Sequence, residues 1–187
     1  MKKGLLIILS GPSGVGKGTV RELFCKDPDL NIAYSVSMTT RPRRDNETNG
    51  VEYFFVDRPT FEKAIDNHEL LEHAEFVGNY YGTPKKYVED LRNQGKNVLL
   101  EIEVEGAKQV IARVHDALTI FIVPPSMQEL EKRIRGRRSE TEEVVQLRLA
   151  KAAKEMEKLG SYKFIVCNDD PHLAAQIISL IIKRHME

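Results

Sequence analysis

Short runs of consecutive apolar residues alternate along this chain with stretches in which apolar residues recur every three or four positions. Leu5–Leu9 (LLIIL) is the first run, ended by Ser10-Gly11-Pro12 as a buried parallel strand would be. Residues Val20 to Phe24 follow with helical composition. Residues 97–103 (NVLLEIE) and 119–123 (TIFIV) predict two more strands, each followed by a helical pattern, and Phe164–Cys167 a fourth. Pro171–His185 reads as a closing helix with Leu173, Ile177, Leu180 and Ile181 on its apolar stripe. Two helix starts carry capping signals: Ser126-x-x-Glu129 after Pro124-Pro125, and Asp170 before Pro171. Strands alternating with helices in this way imply an α/β fold, a parallel sheet covered on both faces.

Two segments break the rhythm. Residues 34–86 are rich in Tyr, Thr, Arg and Gly and read as a small insert of short strands. Residues 135–142 (RGRRSETE) read as a charged, mobile bridge between two helices. No internal repeat or low-complexity linker is visible.

Composition narrows the function classes. The chain has 187 residues, 41% hydrophobic and 30% charged, enough for one compact domain with its own core. Lys plus Arg equals Asp plus Glu at 28 each, so no global basic field points to nucleic acid. The longest apolar runs, Leu5–Leu9 and Ile177–Ile182, fall short of the roughly 18 residues a membrane span needs. The first run also lacks the length and cleavage site of a secretory leader. Cys25 and Cys167 lie far apart with no metal or redox spacing; both are expected to be reduced, buried thiols in a cytoplasmic protein. The five histidines show no triad or metal spacing.

The chemistry begins at Gly11-Pro12-Ser13-Gly14-Val15-Gly16-Lys17-Gly18-Thr19. This matches the phosphate-loop pattern G-x-x-x-x-G-K between a strand and a helix, the context it demands. Glycines let successive backbone N–H groups turn inward onto phosphate oxygens, and the helix N-terminus adds its partial charge. Lys17 reaches the β- and γ-phosphates as a point charge, so the loop binds ATP. Gly18 stands where a Ser or Thr hydroxyl usually meets Mg²⁺. The metal then relies on phosphates, water and Thr19, a variation also found in nucleoside monophosphate kinases.

Three further motifs share one order: Ser35-Val36-Ser37-Met38-Thr39-Thr40-Arg41-Pro42-Arg43-Arg44, Gly78-Asn79-Tyr80-Tyr81-Gly82-Thr83 and Asn168-Asp169-Asp170. With the phosphate loop they make the chain resemble the guanylate kinase family from about Gly4 to the last helix. The resemblance implies a three-layer, parallel-sheet phosphate-loop kinase core at 1–33, 87–125 and 159–187. To this core it adds a small GMP-binding insert at 34–86 and a mobile lid at 126–158. It implies phosphoryl transfer from ATP, with Mg²⁺, to GMP, and leaves dGMP open as a second acceptor.

What the resemblance assigns fits the chemistry of GMP. Arg41, Arg44, Tyr53 and Tyr81 would hold its phosphate, two guanidinium forks and two phenols suiting a dianion. Ser37, Glu72, Thr83 and Glu103 would surround the base. A carboxylate at Glu72 can accept from guanine N1–H and N2–H₂ together, which adenine cannot offer. Tyr80 is expected to pack while Tyr81 binds. Arg137 and Arg148 would contact the transferring phosphoryl group, with Arg44 reaching it from the GMP side. Arg133 would assist at ATP, and Asn168 and Asp169 would approach adenine or its flanking loop. Transfer between phosphates needs positioning and charge neutralisation more than a general base.

The chain departs from the family pattern in three places. Its proline after Thr-Thr-Arg comes one residue early, and Asn46 replaces a glycine, where it is expected to supply the left-handed backbone. Glu101 and Glu103 stand where a pair of aspartates is common. Thr83 stands where some members carry serine, keeping the hydroxyl. Two rival readings stand beside this one: a kinase of the same fold for AMP or a sugar phosphate, and a non-catalytic scaffold module that binds partner proteins. The second would be expected to lose Lys17.

Overall fold

The computed structural model describes residues 2–137 and 141–187. Its centre is a five-stranded parallel sheet in the order β2-β7-β1-β8-β9. The strands are β1 (Leu6–Ser10), β2 (Ile32–Tyr34), β7 (Asn97–Glu101), β8 (Leu118–Val123) and β9 (Phe164–Cys167). Five consecutive buried residues in β1 show why its sequence does not alternate: both faces are covered. On one face Ile7, Leu9, Ile120 and Ile122 meet Val20 and Phe24 of α1 (Lys17–Phe24). The same core takes in Leu130 and Ile134 of α5 (Met127–Arg137), Val145 of α6 (Glu142–Met156) and Ile178 of α7 (Pro171–Met186). On the other, Leu6, Ile8 and Phe121 meet Val88 of α3 (Lys85–Asn93) and Val110 of α4 (Val104–Arg113). Each of these aliphatic side chains contributes about 1.5–3 kcal/mol by leaving water. The three layers follow.

A second, four-stranded sheet lies between β2 and α3 in the chain, in the order β4-β3-β6-β5. Here β3 (Ser37–Thr39) and β4 (Tyr53–Phe55) run parallel, and β5 (Leu70–Phe76) and β6 (Asn79–Pro84) form an antiparallel pair. Helix α2 (Arg58–Asp66) packs beneath it through Phe61 and Ala64. The sheet is tied to the core along β5. Gln109 of α4 accepts from the His73 N–H and donates to its carbonyl, at 3.2 and 2.9 Å. Arg113 donates to the Leu70 and Leu71 carbonyls at 2.9 and 3.1 Å.

Both capping signals are realised. Ser126 Oγ accepts from the Glu129 N–H at 3.1 Å, and Asp170 accepts from His172 and Leu173 at 2.7 and 3.2 Å. Other expectations are corrected. The strand read over 97–103 ends at Glu101, because Glu103 leaves the sheet to become the N-cap of α4. Strand β2 and helices α2 and α3 add to the elements read from the sequence. On α7 most of the expected stripe faces out, with Leu173, Ile177 and Leu180 exposed by 56%, 38% and 68%, while Ile181 packs partly against the core. The neighbouring stripe of Ala174, Ala175, Ile178 and Ile182 is buried instead. Its two alanines permit close approach to the core. Cys167 is exposed and Cys25 half-buried. Cys167 lies on edge strand β9, where the alternate residues Phe164 and Val166 turn inward. Burial pushes the Cys25 thiol up to about 11.

Candidate active site

The phosphate loop joins the carboxyl end of β1 to the first turn of α1. Gly14 and Gly16 take φ of 89° and 94°, the left-handed backbone that lets the loop curl, and Gly16 is also the N-cap of α1. A Cβ on Gly16 would lie 2.6 Å from Asn168 Nδ2, so no other residue fits there. Lys17 folds back over the loop and donates to the Gly11 and Pro12 carbonyls at 2.6 and 3.2 Å. Burial lowers its pKa; Glu101, Glu155 and Glu103 pull the other way. The cleft beside it encloses about 510 Å³ and is lined by Ser13, Gly14, Lys17, Thr19, Glu101 and Glu103.

Three residues expected near ATP brace the loop. Asn168 is buried at the end of β9 and donates to the Val15 carbonyl at 2.8 Å; its Oδ1 finds no protein partner. Arg133 donates to the Asn168 carbonyl at 2.9 Å. Arg148, on α6, donates to Ser13 Oγ at 2.9 Å. Asp169 follows Asn168 and is exposed. The side chain of Arg137, the last residue of α5, lies outside the described residues.

Between the two sheets a second cleft of about 330 Å³ is lined by Ser37, Tyr53, Glu72, Tyr81, Glu101 and Glu103. Thr83 donates its hydroxyl to Glu72 Oε1 at 2.6 Å, and both residues are buried. Desolvation raises the Glu72 pKa, and the Thr83 hydrogen bond opposes that rise. Gly106, in the first turns of α4, leaves the space Glu72 occupies: a Cβ there would stand 2.7 Å from Oε2. The Tyr53 and Tyr81 rings meet edge to face at 6.0 Å. Tyr80 turns away, stacks on Phe61 at 5.2 Å and accepts from Arg58 at 2.9 Å.

Arg41 lies over the Tyr53 ring at 5.5 Å and is gripped by Glu47 through two hydrogen bonds of 2.7 and 3.0 Å. Glu47 also accepts from the Arg44 backbone N–H at 2.9 Å, and these donors hold its carboxyl at about 2. Glu47 was not among the expected site residues; its spacing of six from Arg41 was the available signal. Asn46 does not adopt the left-handed backbone expected of it. The turn closes instead through the Glu47 N–H on the Arg44 carbonyl at 3.1 Å. Glu103 is exposed and accepts from Lys151 at 2.8 Å. Glu101 reaches Arg21 at 3.5 Å, and its buried Oε2 makes no hydrogen bond within the protein. Neither Lys151 nor Arg21 was anticipated, since each contact joins segments distant in sequence.

A glycine-rich loop at the carboxyl end of the sheet's central strand faces a second polar cleft only one strand-end away. That arrangement holds a nucleotide polyphosphate opposite a second substrate, and it defines a phosphate-loop nucleoside monophosphate kinase. The guanylate kinase family profile matches residues 3–185, and the chain belongs to that family. A crystal structure of guanylate kinase from Anaplasma phagocytophilum superimposes with a TM-score of 0.75 at 36% identity, covering 99% of this chain and 87% of that one. An uncharacterised protein from Eubacterium ventriosum shares the fold with a TM-score of 0.53 at 14% identity, covering 97% of this chain and 99% of that one. The family's reaction, ATP-dependent phosphorylation of GMP to GDP, is the activity of this chain.

Proposed function

We propose that this kinase recognises its acceptor through Glu72 and builds the transfer site from Lys17, Arg44, Arg137 and Arg148. The observation that carries the reading is the buried Thr83–Glu72 hydrogen bond at 2.6 Å on the wall of the intersheet cleft. A carboxylate fixed there accepts from guanine N1–H and N2–H₂, while adenine would turn an acceptor toward it. Ser37 and Glu103 complete the base edge, and Arg41, Arg44, Tyr53 and Tyr81 receive the phosphate. Glu47 holds the Arg41 guanidinium in a set direction before the dianion arrives, which lowers the ordering cost of binding.

On the donor side, residues Gly11–Thr19 cradle ATP with Arg133, Asn168 and Asp169 at its rim. Lys17 exchanges its two carbonyl partners for phosphate oxygens. Arg148, and Arg137 from the end of α5, neutralise charge on the transferring group. The acceptor is already a phosphate oxygen anion, so no side chain need take its proton. Mg²⁺ fits the donor set: Glu101 offers a carboxylate oxygen that lies 3.5 Å from Arg21 and accepts no hydrogen bond among the described residues, and Thr19 a hydroxyl on the same cleft. These two would hold the ion through its water shell, and it would supply positive charge against the phosphates.

In this reading residues 34–86 carry GMP, residues 126–158 close as a lid, and the remainder is the core. Among the described residues no helix is long and apolar enough to cross a membrane, in keeping with a cytoplasmic place of work. The test is a coupled assay of ADP formation with GMP, dGMP, AMP, CMP and UMP, with and without chelator. GMP is expected to exceed AMP in kcat/KM by about 10⁴, the scale of sites that read donors by hydrogen bonds. Equal use of AMP, or full turnover in chelator, would overturn the assignment.

A further inference from the structure

One helix reaches both clefts. On α6, Arg148 donates to Ser13 Oγ of the phosphate loop at 2.9 Å. Three residues on, almost one turn, Lys151 donates to Glu103 Oε2 at 2.8 Å on the edge of the guanine cleft. Lys151 is steadied from the other side by Glu155, whose Oε1 lies 3.9 Å away at the i+4 position. Glu155 is only 9% exposed, and its Oε2 is buried with no hydrogen-bond partner. The transfer chemistry has no use for such a carboxylate, and a buried unpaired acceptor is costly. Burial raises its pKa, and the charges of Lys151 and Lys17 oppose that rise.

We propose that Lys151 is a positioning residue that couples guanine recognition to the phosphate loop. The Glu103 side chain is 74% exposed, and Lys151 grips its Oε2. Lys151 fixes its direction from α6, and Glu155 fixes Lys151. Guanine contacting Glu103 therefore stabilises the placement of α6 that also seats Arg148 on Ser13. By linkage, a nucleotide on the phosphate loop tightens the guanine site by the same factor. The inference rests on the proposed contact between Glu103 and the base.

The test is calorimetric titration of the complete protein with a non-hydrolysable ATP analogue, with and without GMP. Wild type is expected to bind the analogue at least about fivefold more tightly when GMP is present, the lower end of common coupling factors. Lys151→Met keeps the length and removes the charge. It should bring that factor below about twofold with affinity for the analogue alone unchanged, and Lys151→Arg should restore it. Glu103→Gln should weaken GMP and lose the coupling, and adding Lys151→Met to it should change nothing further. Coupling retained in Lys151→Met, absent in wild type, or lost additively in the double variant overturns the inference alone. Unchanged GMP affinity in Glu103→Gln removes the base contact and the inference with it.

Discussion

The Thr83 hydroxyl donates to Glu72 across two adjacent strands, β6 and β5, and both residues are buried. A hydroxyl is the smallest group that can orient one carboxylate oxygen and leave the other for a ligand. Preorganisation of this kind puts the cost of fixing the acceptor into folding rather than into binding.

Glu72→Ala is expected to cut kcat/KM for GMP by about 10³ or more and to narrow the lead over AMP, with ATP affinity little changed. Thr83→Val should act in the same direction more weakly, because a neutral donor contributes less than an ionised acceptor. Steady-state kinetics with both acceptors decide it. If Glu72→Ala kept the full preference for GMP, the base would be read elsewhere, and Glu103 would be the next candidate.

Glu72 also makes a statement about stability. Burial raises its folded pKa above the unfolded value, so its contribution is whole below the ordinary carboxylate range and is lost as pH rises through the raised value. Glu72→Gln, which still accepts from Thr83, is therefore expected to match wild type near pH 4 and to melt higher at pH 8 by about 2–4 °C. Thermal unfolding of both proteins across that range reads the difference. A gap that closes with rising pH would mean the carboxylate is stabilised when charged.

Gly106→Ala isolates the space that Glu72 needs. In a helix the exchange should add up to about 1 kcal/mol of stability. Here the new Cβ would stand 2.7 Å from Oε2, so the carboxylate must move. The expected outcome is a loss of about tenfold or more in kcat/KM for GMP, one to two kcal/mol at the barrier, without loss of ATP binding. Unchanged GMP kinetics with a raised Tm would show slack around Glu72.

For Lys17→Ala, kcat is expected to fall by at least about 10², as for loss of one preorganised donor, with thermal unfolding close to wild type. Among the described residues Lys17 donates to loop carbonyls alone, which water can serve in its absence. Near-normal turnover would mean that Lys17 is not aimed at phosphate.

Arg148→Ala should lower kcat by about 10²–10⁵ and change ground-state affinity for either nucleotide much less. Equal losses in binding and turnover would make Arg148 a holding residue. The same comparison applied to Arg137→Ala places that side chain.

The phosphate loop was legible because its backbone conformation restricts residue type: φ near 90° at Gly14 and Gly16 leaves glycine a visible mark in the sequence. Glu72 and Thr83 were legible as residue types in a known order. The contact between them and the room left by Gly106 were not, since neither follows from local spacing. The apolar stripe on α7 failed for a geometric reason. Leu173, Ile177 and Leu180 keep helical period as well as Ala174, Ile178 and Ile182 do, and period alone does not say which stripe faces in. Helix α2 did carry signals in the chain: Asp57 accepts from the Thr60 N–H at 2.8 Å, and Pro59 fits a first turn. The Tyr- and Gly-rich residues around it obscured them.

The grip of Gln109 and Arg113 on β5 reaches beyond holding two sheets together. β5 is the outer strand of the small sheet, and an outer strand offers a row of peptide groups on which a foreign strand could add. The α4 side chains occupy the groups of Leu70, Leu71 and His73 along that border. That stretch of the border is thereby closed to strand exchange and fibril growth.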